Sequence, residues 1–510
     1  MENSFNFNDI FVFDLANNHQ GSVEHGKAVI QGVSEAANRH GVRGMFKFQF
    51  RELDTFVHPG HKENSTNKHI PRFLSTRLMP DQYRELLDEV RKQGLLAACT
   101  PFDEASVKQI VEMGFDVIKI ASCSARDWPL LEEVASVNLP VIFSTGGLGV
   151  SDIDDLVSFF DHRGVDYAIM HCVSIYPTPD DLCQLNQIDQ MIKRYPGRTI
   201  GWSTHEDPND TVPVQIAVAK GARMFERHVG VATETISLNA YSSNPEQVDA
   251  WVNAYKKARV LCGVNVRPPS SATEVEAIDG LKRGIYAKKA LKKGTVLTSD
   301  QVYFAMPCED GQLSSGDWKD GIVLNDAVKP DGAVSIAAVT LPEVPEHHYL
   351  KEALHDIKAM LNEASVPLNS DFEVEYSHHY GMKRFREVGA VLINCINRSY
   401  CKKVLVQLPG QGHPTHFHKR KEETFQVLYG ELKAVIDGHE RILRPGNTCL
   451  IQPGVWHSFS TETGCIFEEI STTDYPNDSF YRDKNINKLE RSERKTVVDH
   501  WGRFQTTEKS

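Results

Sequence analysis

The chain has 510 residues, of which 41% are hydrophobic and 24% charged, and this length allows two to four domains with separate cores. A formal net charge of −12 at pH 7 argues against nucleic acid or an anionic membrane surface as the main partner. The sequence shows no export signal and no apolar run of membrane-spanning length, and its ten cysteines form no paired framework. A cytoplasmic protein with reduced thiols is therefore expected.

In residues 1–268, short apolar runs alternate with segments whose apolar residues recur at helical spacing. The predicted strands are Phe11–Ala16, Met45–Phe50, Leu95–Thr100, Val117–Ser122, Val141–Thr145, Tyr167–Cys172, Thr199–Thr204 and Met224–Val229. The predicted helices include Gln82–Gly94, Glu104–Gly114, Ile153–Gly164 and the closing segment Pro245–Gly263. Eight strand–helix repeats predict an α/β fold, the (β/α)8 or TIM barrel.

Four further segments follow the predicted barrel. Residues 280–340 favour a small mixed domain, with short strand-like runs at Gly284–Ala290, Thr295–Leu297 and Ala333–Val339. Residues 345–370 predict a linker helix, because apolar residues recur at helical spacing at Leu350, Leu354, Ile357 and Leu361. Residues 372–490 alternate short strands with glycine-containing turns, as in a β-sandwich or jelly roll. Residues 491–510 are a charged tail, for which a packing role is expected.

Polar residues stand at the ends of the predicted barrel strands. They are Asp14, Lys47, Thr100, Lys119, Ser122, Ser144, His171, Ser203, His205 and His228. In a TIM barrel the carboxyl ends of the strands form the catalytic rim, so an enzyme is the first interpretation.

Two neighbouring strands end in His205 and His228, a pair suited to a divalent metal, although a lone rim histidine is more often a hydrogen-bond partner. Lys47 and Lys119 lie in apolar runs, where a buried ammonium requires an anion unless the side chain reaches solvent. Together with nearby hydroxyls they could bind a phosphate and a carboxylate: Thr100, Ser122, Ser144, Ser174 and Ser203. Each hydroxyl alone could equally cap a helix.

A series of motifs resembles the sialic acid synthase (N-acetylneuraminate synthase) family over the whole barrel. These are Asn17–Gly21, Phe46–Gln49, Cys99–Asp103, Lys119–Ser122, Ser144–Gly146, His171–Pro179, Ser203–His205 and Glu226–His228. Residues 281–340 are similar to the antifreeze-like (SAF) domain that follows the barrel in this family.

The resemblance implies condensation of phosphoenolpyruvate with an open-chain aldose, giving a 3-deoxy-2-ulosonic acid and phosphate. It implies a divalent metal, manganese or magnesium, at His205 and His228. Phosphoenolpyruvate would be held by Lys47, Thr100, Lys119, Ser122, Ser144, Ser174 and Ser203. The expected catalytic residues are Asp14, Lys119, Tyr176, His205 and His228. A homodimer, in which the small domain of one subunit covers the barrel of the other, is also implied.

Several positions depart from the family pattern. Asp14 stands where the family has Glu. Its side chain is shorter, but it is expected to keep the role of holding a water at the metal. Ser124 stands where the family has another Glu. The segment 237–242 replaces Gly-Pro-Asp. In the small domain, Met306 replaces an arginine that recognises the N-acetyl group, and a thioether cannot donate that hydrogen bond. The acceptor is therefore expected not to be N-acetylmannosamine.

A second candidate site lies in the predicted jelly roll. His416 and His418 share one face of a strand, Glu423 returns on the next strand, and His457 arrives from a later hairpin. With the glycines around them, these residues resemble the two motifs of the cupin superfamily. The set suits iron, manganese, zinc or nickel, and its alternative is a buried polar network without metal.

Four short motifs near this site resemble cupin sugar isomerases of the D-lyxose isomerase type: Arg398–Lys403, Leu408–Gln411, Lys421–Phe425 and Glu469–Thr472. In that interpretation the metal binds adjacent sugar oxygens and Lys421 steadies an enediolate. The cupin would then interconvert an aldose and a ketose or open a sugar ring. A sugar-binding or regulatory module, an isomerase with an accessory barrel, and a scaffold with a carbohydrate sensor are the alternatives.

Overall fold

The computed structural model describes residues 4–63, 65–265, 267–499 and 501. It divides into two compact units, Met1–Pro269 and Ser270–Ser510, which are described separately. None of the helices in these described ranges combines the length and the apolar character that a membrane crossing needs.

The first unit is a closed barrel of eight parallel strands in sequential order, which confirms the fold predicted from the sequence. The strands are β1 (Ile10–Asp14), β2 (Arg43–Phe50), β3 (Leu96–Pro101), β4 (Val117–Ile120), β5 (Val141–Ser144), β6 (Tyr167–Cys172), β7 (Ile200–Thr204) and β8 (Met224–His228). Their bounds lie within two residues of the predicted ones, because the buried apolar runs that predict the strands also form them.

Helices surround this barrel. They are α1 (Val23–His40), α2 (Leu53–Phe56), α3 (His69–Ser75), α4 (Pro80–Lys92), α5 (Glu104–Met113), α6 (Trp128–Ser136), α7 (Val150–Arg163), α8 (Asn186–Arg194), α9 (Val212–Ala219) and α10 (Pro245–Cys262). The local sequence sets their ends: Ser22 caps α1 by accepting from the backbone N–H of His25, and Gly41 ends it at φ 63°.

The barrel interior has an apolar lower half and a polar upper rim. Inward-facing side chains in the lower half form one buried cluster that includes Ile10, Val12, Met45, Ala98, Val117, Ile142, Ala168, Met170 and Met224. Because side chains alternate along a strand, the residue two positions further on faces the same interior. The strand register pairs Asp14 with Lys47 on one side and with His228 on the other, so these three meet at the rim.

The second unit begins with α11 (Ala272–Asp279) and a small β-rich region. Its strands are β9 (Gly284–Ala287), β10 (Val302–Ala305), β11 (Val323–Leu324) and β12 (Val339–Thr340). They enclose a separate buried cluster that includes Ile285, Leu297, Val302 and Ile322. Two predicted runs, 295–297 and 333–339, form only isolated bridges along most of their length, because turns interrupt them.

The rest of the unit is the helix α12 (Glu346–Glu363) against two β-sheets. The strands are β13 (Glu373–Ser377), β14 (Ala390–Asn397), β15 (Tyr400–Gln407), β16 (Gly412–His418), β17 (Glu423–Gly430), β18 (Leu432–Ile436), β19 (His439–Leu443), β20 (Thr448–Ile451), β21 (His457–Ser460), β22 (Cys465–Thr472), β23 (Ser479–Tyr481) and β24 (Lys495–Asp499), with α13 (Arg491–Arg494) before the last. A seven-stranded sheet and a five-stranded sheet result, as expected for a jelly roll. The predicted apolar face of α12, with Leu350 and Ile357, packs on this core.

The segment that the sequence analysis assigns to a charged tail, 491–510, contributes directly to this fold where it is described. Strand β24 pairs antiparallel with β13, from Glu373 opposite Asp499 to Ser377 opposite Lys495. The described sheet therefore extends beyond residue 490. Residues 502–510 of the predicted tail lie outside the described residues.

Candidate functional sites

Four charged side chains form a buried chain across the barrel rim. The Nζ of Lys47 lies 2.9 Å from Asp14 Oδ2 and 2.9 Å from Glu226 Oε1. The Nζ of Lys119 lies 3.5 Å from the other oxygen, Glu226 Oε2. All four residues are at most 4% exposed, so neither lysine reaches solvent as the surface alternative requires. Two cations and two anions are thus held together at the strand ends.

This arrangement shifts the proton affinity of its members. Burial raises the pKa of Glu226, but the charges of Lys119 and Lys47 outweigh burial and lower the pKa to about 2. Burial lowers the pKa of Lys47, yet Asp14 and Glu226 together raise it above its ordinary value. For Lys119 burial prevails and lowers the pKa. Glu226 is therefore ionised at neutral pH and is the shared counterion of both lysines.

Hydroxyl groups surround the two ammonium groups. Ser144 Oγ lies 2.5 Å from the Nζ of Lys119, and Ser203 Oγ donates to Glu226 Oε1 over 3.3 Å. The buried Oγ1 of Thr100 has no hydrogen-bond partner among the described residues, which leaves a donor and an acceptor for a ligand. These hydroxyls lie in the part of the barrel where the sequence predicts them to bind an anion.

The remaining two predicted hydroxyls, those of Ser122 after β4 and Ser174 after β6, lie beside the loop that follows β5. Ser122 Oγ accepts from the backbone N–H of Gly146 over 3.0 Å. A Cβ atom at Gly146 would overlap Ser174 Oγ and lie 2.8 Å from Ser122 Oγ, so glycine is what lets both hydroxyls keep these positions. Ser122 and Ser174 therefore lie on either side of one glycine, and Ser174 is exposed.

His205 and His228 lie side by side, with their ring centroids 5.3 Å apart. His205 Nδ1 is 2.8 Å from the carbonyl oxygen of Val173, and His228 Nδ1 is 3.3 Å from Asp14 Oδ2. When Nδ1 donates these bonds, Nε2 of each ring keeps a lone pair, which is the tautomer that a metal ligand needs. The residues thus fit a divalent metal, and Asp14 is placed to orient His228.

Aromatic rings close the same side of the rim. The Tyr176 ring lies 4.1 Å from the His205 ring, and Tyr241 lies 5.2 Å from the His228 ring. His171 is not part of this group: its Nε2 is 2.9 Å from the carbonyl of Cys183, and its ring stacks on Trp202. The reason is alternation along β6, in which Met170 faces the interior and His171 faces the helices.

A cavity of about 560 Å³ lies beside the end of β2. Gln49 lines it, and its Nε2 lies 3.4 Å from Asp14 Oδ2. The guanidinium of Arg51 also lines it, with the rings of Phe73 and Phe102 at 4.0 and 3.6 Å. Burial lowers the pKa of Arg51 to about 10. The cavity therefore offers polar and cationic groups next to the rim cluster.

The sequence analysis did not single out Glu226 as a site residue. It stands two positions after the interior residue Met224 and two before His228, and this period-two spacing is the signal that could have identified it. A carboxylate in an apolar strand is expensive to bury unless a cation pairs with it, and Lys47 and Lys119 already required an anion.

Glu226 also leads to a prediction about acid stability. Because its pKa in the folded chain, about 2, lies below the ordinary 4.5, the ionised form stabilises the fold fully above pH 4.5. This contribution is lost as the pH falls from 4.5 towards 2. We expect the stability advantage of the wild type over Glu226→Gln to shrink by about 3 kcal/mol across that interval, as measured by urea unfolding of the full chain at several pH values.

The control for this measurement is Glu85→Gln. Glu85 also lies 2.8 Å from a lysine, Lys27, but its side chain is 56% exposed. Its pH profile is expected to follow the wild type. If Glu226→Gln loses stability with falling pH as steeply as the wild type, Glu226 is not the counterion described above.

In the second unit, three buried histidines converge. One ring nitrogen from each of His416, His418 and His457 lies within 4.8 Å of the others. Their Nδ1 atoms lie 3.0, 3.2 and 3.1 Å from the carbonyl oxygens of Pro414, Asp478 and Val455 respectively. These contacts orient the rings and leave Nε2 with a lone pair.

A carboxylate completes the group. Glu423 Oε1 lies 3.2 Å from His418 Nε2, and Glu423 Oε2 lies 3.3 Å from His457 Nε2. Two ligand atoms that each lie about 2.1 Å from one ion are separated by roughly 3 Å, so these spacings match a shared metal. The 3.3 Å contact between His457 Nε2 and Glu423 Oε2 does not have hydrogen-bond geometry, and neither buried atom has a hydrogen bond to another described residue. The donor set therefore fits a divalent metal, whose identity the residues leave open.

Lys421 lies beside this group. Its Nζ is 2.6 Å from Glu423 Oε1, 2.9 Å from Glu469 Oε1 and 3.2 Å from Asp474 Oδ1. Burial lowers the pKa of Lys421, but these carboxylates raise it well above its ordinary value. Lys421 is therefore a fixed cation at neutral pH. Glu469 begins one of the motifs quoted from the sequence, whereas Asp474 is a neighbour that the sequence did not reveal.

Comparison with known proteins agrees with this two-part architecture. The NeuB family pattern matches residues 33–267, and the cupin domain pattern matches residues 404–467. A Chromobacterium violaceum structure described as a spore coat polysaccharide biosynthesis protein E is 43% identical, with a TM-score of 0.62, covering 65% of this chain and 100% of that one.

Two further relatives have names that state which compound each of them synthesises. The Drosophila melanogaster N-acetylneuraminate-9-phosphate synthase is 32% identical over 250 residues, which are 48% of this chain and 66% of that protein. The Campylobacter jejuni N,N'-diacetyllegionaminic acid synthase is 25% identical over 232 residues, 44% of this chain and 67% of that protein.

Proposed function

Because this chain belongs to the NeuB family, we propose that its barrel condenses phosphoenolpyruvate with the aldehyde of an open-chain aldose. The products would be a 3-deoxy-2-ulosonic acid of the nonulosonate type and inorganic phosphate. The single observation that carries the proposal is the buried pair of ammonium groups, Lys47 and Lys119, which share Glu226 at the carboxyl ends of the strands. The names of the relatives support the same reaction class.

The chemistry follows from the positions of these donors. Lys47 and Lys119, with the hydroxyls of Thr100, Ser144 and Ser203, would hold the carboxylate and phosphate of phosphoenolpyruvate. The methylene carbon of phosphoenolpyruvate attacks the aldehyde carbon, forming the C–C bond, and the aldehyde oxygen takes up a proton. Water adds to the cationic C2 and loses a proton. The bond from C2 to the phosphate oxygen then breaks while the C2 hydroxyl loses its proton, which releases phosphate and leaves the keto acid.

His205 and His228 are the residues that would hold manganese or magnesium in the barrel. When bound, the metal supplies Lewis-acid polarisation of the aldehyde oxygen. Asp14 positions His228 through the 3.3 Å contact with Nδ1, and Tyr176 covers the His205 ring. The cavity lined by Gln49 and Arg51 is the proposed space for the acceptor.

For the cupin we propose a metal-dependent site that binds a sugar through adjacent oxygens. His416, His418, Glu423 and His457 would hold iron, manganese, zinc or nickel, and Lys421 would steady negative charge on the sugar. In the catalytic version of this proposal, the cupin interconverts an aldose and a ketose and so supplies the barrel with its acceptor. A sugar-binding or regulatory module is its alternative, because both need the same metal and oxygen contacts.

Phosphate release from phosphoenolpyruvate with Mn²⁺ tests the barrel proposal. A panel of aldoses, their phosphates and the matching ketoses is expected to contain at least one acceptor that stimulates release. Phosphoenolpyruvate alone should raise the melting temperature of the manganese-loaded chain, because a ligand that binds only the folded state stabilises it. If phosphoenolpyruvate neither binds nor releases phosphate, the barrel is a scaffold and the proposal fails.

The assembly predicted from the sequence stays a proposal. Residues 280–340 would form the antifreeze-like domain that covers the barrel of a second subunit. The domain divisions would lie near residues 268, 345 and 372. The location would be cytoplasmic. Sedimentation of the full chain tests the homodimer, and limited proteolysis tests the divisions. An exclusively monomeric chain would contradict the proposed cover.

A further inference from the structure

The cupin site opens into a cavity of about 650 Å³ whose lining includes several charged residues. Among them, Lys421 and Lys403 are fully engaged with carboxylates, including Asp474 at 2.9 Å from the Nζ of Lys403. The same cavity is also lined by three basic residues that we call the basic wall: Arg491, Arg494 and Lys495. The wall comes from α13 and β24, within the segment that the sequence analysis assigned to a tail.

The basic wall has one buried counterion for three cations. Glu375 Oε2 lies 2.7 Å from Arg491 Nη2, and Glu375 Oε1 lies 2.5 Å from the Nζ of Lys495. Burial raises the pKa of Glu375, but Lys495 and neighbouring cations lower it to about 2, so it is ionised and both of its oxygens are occupied. The wall therefore has a surplus of positive charge.

Arg494 is the cation left over. Its Nε and Nη1 are buried and have no hydrogen-bond partner among the described residues, and no ion pair of its guanidinium is found in those ranges. Leaving charged donors buried without an acceptor is costly, and a guanidinium matches a carboxylate or phosphate with two parallel bonds. The histidines near it, His379 and His413, do not provide an anion, because an imidazole side chain carries no negative charge.

Arg494 is also within reach of a ligand held at the histidines. Its guanidinium carbon lies 5.3 Å from the centre of the Tyr481 ring. The centre of the same ring lies 5.5 Å from that of the His416 ring. Arg494 and His416 therefore contact the same tyrosine and line the same cavity, so that one bound ligand can reach both.

We propose that the basic wall is an anion subsite and that the cupin takes an acidic sugar, with hydroxyl oxygens at the metal and a terminal carboxylate or phosphate on Arg494. This inference rests on the proposed metal and sugar site of the cupin, and it adds the class of substrate. A neutral sugar would leave Arg494 without an acceptor and would bind more weakly. The residues of this subsite are different from the barrel residues that are proposed to hold phosphoenolpyruvate.

Calorimetric titration of the manganese-loaded full chain with D-glucose, D-glucuronate and D-glucose 6-phosphate tests this proposal. At least one acidic sugar is expected to bind at least ~10-fold more tightly than glucose, and Arg494→Gln should remove that preference while glucose binding stays unchanged. Any sugar binding by the barrel is the same in the wild type and in the Arg494 variant, so it cancels when their affinities are compared. Arg494→Lys should recover part of the preference, because the charge returns without the planar fork. Whichever acid is preferred, carboxylate or phosphate, identifies the anionic group.

Arg441→Gln is the matched control, since Arg441 is exposed on β19 of the same fold and should leave every affinity unchanged. The subsite is overturned if both Arg494→Gln and Arg494→Lys keep their metal content and bind the acidic sugars as tightly as the wild type does. Failure of the underlying metal site gives a different result: His416→Ala would then retain the full metal content of the wild type.

Discussion

Replacing Lys47 by Met is expected to lower phosphate release from phosphoenolpyruvate by about 10³-fold and to destabilise the fold by about 3–5 kcal/mol. The ammonium group lies between Asp14 and Glu226, at 2.9 Å from each, and all three side chains are buried. Met keeps the length of the side chain but removes the charge, which leaves two carboxylates facing each other with one cation fewer. Steady-state phosphate release and urea unfolding measure the two effects.

The matched control for this variant is Lys220→Met. Lys220 also lies 2.8 Å from a carboxylate, that of Asp189, but both side chains are about one-third exposed. An exposed ion pair contributes little, so we expect a stability change within ~1 kcal/mol and wild-type phosphate release. Activity is compared at a temperature at which circular dichroism shows each variant folded. A folded Lys47→Met chain that releases phosphate within tenfold of the wild-type rate would remove Lys47 from the proposed site.

Replacing His416 by Ala is expected to lower the metal affinity of the cupin by at least ~100-fold, because even the loss of an outer hydrogen bond to a ligand costs 10–100-fold. Metal analysis after dialysis should show less bound metal per chain than in the wild type. If the cupin isomerises sugars for the barrel, ketose-stimulated phosphate release disappears while aldose-stimulated release persists. None of the residues proposed for the barrel site belongs to the cupin, so we expect the barrel's own response to phosphoenolpyruvate to be retained.

His439→Ala provides the comparison, since His439 lies exposed on β19 and takes no part in the three-histidine group. Its metal content and both phosphate-release activities should equal those of the wild type. Unchanged metal content in His416→Ala would contradict the cupin metal site. Loss of metal with full ketose activity would instead identify the cupin as a binding module.

The barrel could be predicted from local patterns because short apolar runs alternate with helical segments, and polar residues stand within or just after those runs. Asp14, Lys47, Lys119, Ser144, His205 and His228 were all identified in this way, since the strand ends of a parallel barrel meet at one rim. His416, His418, Glu423 and His457 were identified because strand spacing, ligand type and glycines agree. His171 was placed on the rim only because the pattern of a strand does not say which of its two faces points inward.

What local patterns could not supply was pairing between distant residues. Glu226 lies 179 positions from Lys47, and only closure of the barrel brings its carboxylate to the ammonium. The charged segment 491–499 resembles a tail by composition, yet β24 completes a sheet and brings Arg494 to the cupin cavity.

The sequence by itself determined the fold classes and the residue types of both sites, because periodicity and ligand spacing are local properties of the chain. The tertiary structure alone decided which charges are paired and which cation is left over. Pairing energies depend on burial and on distances of a few ångströms between residues far apart in sequence, and those distances exist only once the strands have closed and packed.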